Sequence, residues 1–226
     1  MQNLSLEQIS AQLDSENSRD RLLALAHLRE VSATEAVPLI KKVLYDSNLP
    51  VRSMAVFALG VKRTEECYSI LVELLEKDED YGVRADAAGA LGYLEDVRAF
   101  EPLARAFYED TSWLVRFSAA VALGNLKDKR AHDLLIEALD SQELVIQQAA
   151  IAALGEIGDL EAVDHVLRFA SSEDWLIRQR LAEALGNMST PKSVSALKYL
   201  EKDVHPQVSQ AASISLQHLL ELEKKE

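Results

Sequence analysis

Few side chains in this sequence stand out as chemical. There is one cysteine, Cys67. It begins a helix, where the partial positive charge of the helix N-terminus favours a thiolate, so it is a candidate nucleophile. Its alternative role is that of a small packing residue. Asp86 and Arg180 are charges on a face that elsewhere presents Met54, Phe57 and Phe117, apolar where a merely solvated face would be polar. A carboxylate there could move a proton, and a guanidinium could grip a carboxylate. Tyr81, Trp113 and Trp175 share one place in a repeating pattern. A flat ring at that place could stack on a ligand or anchor a partner. The alternative is that each indole packs over the turn of its own hairpin. The five histidines, His27, His132, His165, His205 and His218, have no glutamate beside them. No metal-ligand spacing, glycine-rich phosphate loop or Gly-x-Ser-x-Gly elbow is present, so no metal is expected.

The elements that position these residues follow from a repeat. Arg21, Arg52, Arg84, Arg116, Gln147, Arg178 and Ser209 lie 31 or 32 residues apart. Three residues on stand Ala24, Ala55, Ala87, Ala119, Ala150, Leu181 and Ala212, and seven on a leucine stands in every unit. Eight on, Gly60, Gly92, Gly124, Gly155 and Gly186 account for five of the eight glycines. A period of this size marks a solenoid. Each unit reads as two helices. The stretch from Arg98 to Tyr108 carries apolar residues in steps of three and four, and Trp113 to Leu123 forms the second helix. The fold class expected is all-α, a right-handed α-solenoid of about seven helical hairpins. It forms one domain over 1–226, with a capping repeat at 1–30, five regular repeats over 31–190, and a capping repeat with a charged tail at 191–226. Second helices of such arrays line the concave side, where Met54, Phe57, Asp86, Phe117 and Arg180 would face a groove.

Two local readings accompany the repeat. Gly124 is expected just past its helix, in a left-handed conformation. Asp46, Asp78, Asp110 and Asp203, six residues before the repeat position, are expected to cap helices and to pair with repeat arginines. The fifth unit has Gln147 for the arginine and Ser141 for the acid, as if both partners of one pair were lost together.

Composition narrows the function. The formal charge of −13 disfavours phosphate backbones and anionic lipid, so no nucleic-acid partner is expected. No apolar run approaches the length of a membrane span, and the first residues lack the pattern of a secretory signal. A cytoplasmic protein without membrane insertion is expected.

The motif Trp113-Leu114-Val115-Arg116 through Ala122-Leu123-Gly124, and its counterpart Asp174-Trp175-Leu176-Ile177-Arg178 through Ala184-Leu185-Gly186, resemble the short HEAT-like repeat of the phycobilin lyase class. Within that class the chain is similar to the phycobilisome-degradation family, related to E/F-type lyases. The resemblance implies binding of phycobiliproteins and detachment of their open-chain tetrapyrroles. A phycobilin of the phycocyanobilin type would then be the ligand or substrate, and the protein would have no cofactor of its own. The family motif assigns no residue roles; from the residues themselves, Asp86 could pair with the pyrrole nitrogens of such a ligand, Arg180 could bind a propionate, and Cys67 could take over the bilin thioether. The alternatives are a non-catalytic adaptor that docks phycobilisome subunits or a protease component, and a generic interaction scaffold. An exposed aromatic row would favour a partner or a homodimer.

Overall fold

The computed structural model describes residues 4–223. The end of the charged tail, with Lys224 and Lys225, lies outside the described residues, as does Asn3. Among the described residues there are fourteen α-helices and no strand. They follow as α1 (Leu6–Leu13), α2 (Ser18–His27), α3 (Ala33–Lys41), α4 (Leu49–Gly60), α5 (Glu65–Lys77), α6 (Tyr81–Leu94) and α7 (Phe100–Glu109). The second half comprises α8 (Trp113–Asn125), α9 (His132–Ala138), α10 (Leu144–Ile157), α11 (Val163–Leu167), α12 (Trp175–Leu185), α13 (Pro191–Leu200) and α14 (Pro206–Glu223). Taken pairwise they are the seven hairpins of an α-solenoid. By packing, the helices form two compact units, Met1–Ala122 and Leu123–Glu226.

Helix starts are written into the sequence. Thr64, Asp80, Asp174 and Thr190 each accept a hydrogen bond from an N–H of the helix they precede. Asp96, Asp128 and Asp159 open short 3-10 turns by accepting from the amide two residues ahead. The core is mostly Ala, Leu, Val and Ile. In the first unit Val51, Ala55, Leu59, Val83, Ala87 and Leu91 are fully buried, and in the second Ile151, Leu154, Leu181 and Leu185 are.

The repeat glycine is not the left-handed stop that its place near a helix end suggests. Gly60 and Gly155 lie inside α4 and α10, and Gly186 caps α12 in a right-handed conformation. Positive φ falls three residues later, at Arg63, Glu95, Lys127 and Gly158. The glycine is needed for close approach instead. A Cβ on Gly60 would stand 2.9 Å from the Cβ of Ala90, and one on Gly155 would stand 2.5 Å from Ala184. Gly60, Gly124 and Gly155 therefore each meet the alanine six after the repeat position in the next hairpin. Gly186 meets Ser215 in the same way.

The acid–arginine ladder exists, with a register of one unit. Arg21 pairs with Asp46, Arg84 with Asp110 and Arg178 with Asp203, each arginine reaching the acid of the following hairpin at 2.6–2.7 Å. The same acids accept from Asn48, Ser112 and His205 amides. Arg52 departs from the register and touches Asp80 at 3.5 Å. Arginine Nη1 groups also donate back to the carbonyls of Ser15, Asp46, Asp78 and Ser172 in their own turns. Gln147 keeps this second role, donating to the Ser141 carbonyl at 2.8 Å. In the observed register its lost acid partner is Ser172, not Ser141, which corrects the pairing expected within the fifth unit.

Candidate binding face

Helical periodicity decides which side chains of the second helices reach solvent. With Val51, Ala55 and Leu59 buried in α4, residues two, five and nine after the repeat position point away from the core. In the first unit these are Leu23 on α2, Met54 and Phe57 on α4 with Val61 just after it, and Asp86, Gly89 and Tyr93 on α6. Phe57 and Tyr93 are about half exposed, at 51% and 52%, and meet edge to face with centroids 5.8 Å apart. That geometry sets the positive ring edge against the negative ring face.

Beside this pair lies a cavity of about 570 Å³, walled by Leu23, Ala26, Met54, Phe57 and Val61, with His27, Arg29, Glu30 and Lys62 as its polar lining. Its volume falls within the range of small-molecule sites, and its walls are mostly apolar. Lys62 Nζ donates to the carbonyls of Arg29 at 2.9 Å and Val31 at 2.6 Å, tying the end of α2 to the turn after α4. Burial lowers its ammonium below the usual lysine range, against the opposing pull of Glu30 and Cys67. Asp86 is half-buried on the same face of α6, and its carboxylate makes no hydrogen bond or ion pair among the described residues. An acid so placed can accept from a ligand N–H or take a proton.

The sequence candidates do not all converge here. Met54 and Phe57 share the cavity, and Asp86 lies on the adjacent helix. Phe117 is half-buried on α8. Tyr81 and Trp113, 58% and 51% exposed, stand at the first positions of α6 and α8, at the loop edge of the first unit. Near Tyr81 an open polar cleft is lined by Tyr45, Arg52, Asp78, Glu79 and Asp80. In the second unit Trp175 lies flat on His205, with centroids 4.1 Å apart and an interplanar angle of 13°. Arg180 pairs with Glu183 at 2.7 Å, and Gln179 donates to the same carboxylate. The corresponding face of α12 is polar, while α14 carries the exposed Ile214 at the same repeat position.

Cys67 is fully buried in α5, its amide and its sulfur both bonded to Thr64 Oγ1. A thiol closed to solvent offers no approach to a thioether on another protein, so packing accounts for it and the nucleophile reading is withdrawn. Leu23, Val61, Lys62, Gly89 and Tyr93 were missed. The signal for them was available: they occupy or adjoin the outward repeat positions two, five and nine.

These hairpins and their acid–arginine register define a class. A family model for HEAT repeats matches residues 6–92, 68–150 and 133–217, and the chain belongs to the HEAT-repeat family. Among solved structures, the complex of CpcE and CpcF of phycocyanin lyase from Nostoc sp. PCC7120 is similar with a TM-score of 0.61 at 21% identity, over 96% of this chain and 95% of that one. The archaeal HEAT-like repeats protein from Thermococcus onnurineus NA1 gives 0.56 at 16% identity, over 97% and 98%. Kap95p, solved with RanGDP, gives 0.63 at 14% identity, with 96% of this chain matching 35% of that one. These likenesses establish the fold. No curated protein matched the chain.

Proposed function

We propose that the apolar face of the first unit binds the bilin chromophore of a phycobiliprotein and assists its detachment, a role in phycobilisome degradation. The observation that carries this reading is the cavity beside Phe57 and Tyr93, with the unpartnered carboxylate of Asp86 on the adjacent helix. Apolar and aromatic walls suit a flat conjugated tetrapyrrole, and a lone acid suits its pyrrole N–H groups. Fold likeness to a phycocyanin lyase supports the substrate class, and the repeat sequence is similar to the phycobilisome-degradation protein NblB.

The chemistry would be an elimination. A carboxylate, here Asp86, takes the proton from the bilin carbon next to the thioether-bearing carbon. A double bond forms between the two carbons as the C–S bond breaks, and the sulfur leaves as a thiolate that takes up a proton. No oxidant is consumed. Binding the bilin out of its relaxed conformation would lower the barrier by orientation.

A second reading is favoured by Tyr81 and Trp113, which lie at the loop edge of the first unit rather than in the cavity. There the protein would dock a phycobilisome subunit or a protease component without chemistry. Incubation of the purified protein with holo-phycocyanin, followed by absorbance, separates these readings. Loss of the bound-bilin spectrum supports detachment. A complex with an unchanged spectrum supports the adaptor. Absence of any complex leaves a general interaction scaffold and contradicts both.

A further inference from the structure

Gly89 has no structural reason to be glycine. It lies in the interior of α6, where glycine costs a helix stability relative to alanine. Its φ is not positive. A Cβ built on it would meet no neighbouring atom within 4 Å, whereas one on Gly60, Gly124 or Gly155 would collide with the next hairpin. The repeat-equivalent residues of the two flanking hairpins are Phe57 and Val121, both exposed, and the other hairpins carry Ala26, Ala152, Glu183 and Ile214 there, so only this hairpin lacks a side chain at that place. Gly89 therefore leaves a notch in a face that otherwise carries side chains. Asp86 stands one turn before it, Tyr93 one turn after, and Tyr93 closes onto Phe57 edge to face.

We propose that Gly89 is a specificity-determining position: it keeps the α6 backbone bare so that the flat face of the bilin can rest on it between Asp86 and Tyr93. This rests on the bilin-binding reading above. Close approach of a ligand to backbone is a role that only a missing side chain can fill. The open space around Gly89 would accept the Cβ of an alanine without strain in the free protein, so function and folding pull in opposite directions at this residue.

The test uses the full chain with Gly89→Ala and Gly89→Leu, measuring thermal unfolding and titrating free phycocyanobilin by absorbance. Gly89→Ala is expected to raise Tm by about 1–4 °C. Gly89→Leu is expected to keep Tm at or above that of the unsubstituted protein while weakening phycocyanobilin binding about tenfold or more. A fall in Tm for Gly89→Ala would show that the glycine serves the fold and would overturn the proposal. So would a raised Tm with phycocyanobilin affinity unchanged in Gly89→Leu. If the unsubstituted protein binds no phycocyanobilin, the bilin reading itself fails, and this assignment falls with it.

Discussion

Asp203 accepts from two nitrogens of Arg178, and it also accepts the His205 amide. The guanidinium, more than the amide, holds its carboxyl below the usual carboxylate range, and burial opposes this only in part. A folded pKa below the unfolded one gives stability that is complete above the ordinary carboxylate pKa of about 3.9 and is lost as pH falls through the folded value. Asp203→Asn is expected to cost about 3 kcal/mol at neutral pH, because it strands a largely buried arginine. The deficit against the unsubstituted protein should shrink below pH ~4 in urea unfolding. His132 behaves oppositely. Its Nδ1 lies 2.5 Å from Asp159, and this hydrogen bond raises its pKa, with Asp133 and Glu161 adding to the effect and burial opposing it. A raised folded pKa gives stability that is complete below the ordinary histidine value of about 6.5 and is lost as pH rises through the folded value. Asp159→Asn should remove that decline, and an unchanged stability profile above pH ~6.5 would contradict the assignment.

At the scale of elements, the glycine–alanine seam sets how closely second helices pack. A Cβ at Gly155 meets the Cα and Cβ of Ala184, backbone and short side chain that cannot swing aside. Gly155→Ala should therefore destabilise by about 1–3 kcal/mol, read in chemical denaturation, although alanine is the better helix former. The helices themselves were legible in advance, because steps of three and four and capping acids are local signals. The first and last hairpins were also legible as departures from the repeat. What a single unit does not display is its neighbour. The pairing of Gly60 with Ala90 and of Arg84 with Asp110 crosses from one hairpin to the next. For that reason Gly124 read as a helix stop and Ser141 as the partner lost with Gln147. Both readings treated an inter-hairpin contact as an intra-hairpin one.

At the scale of the molecule, the two units present different surfaces on their second helices. The first offers Leu23, Met54, Phe57, Val61 and Tyr93, and the second offers Gln179, Arg180 and Glu183 bonded to one another. Met54 and Phe57 stood out from the repeat because each is apolar where a solvated face would be polar, and Asp86 because it is a charge on that same face. Cys67 misled because its place near a helix start says nothing of its burial. Arg180 is paired with Glu183 three residues away on the same helix, a pairing that helical spacing allows without any ligand. The central claim is that the apolar face of the first unit receives a bilin-bearing protein. Its most direct test is co-sedimentation of holo-phycocyanin with the unsubstituted protein and with Phe57→Asp, detected by bilin absorbance. Phe57 is half exposed, so the substitution leaves the core intact while placing a charge on the cavity wall. The account predicts a complex with the unsubstituted protein and its loss with Phe57→Asp, which stays folded with a Tm lowered by only a few degrees through loss of the Tyr93 contact. Equal binding by both proteins would contradict it.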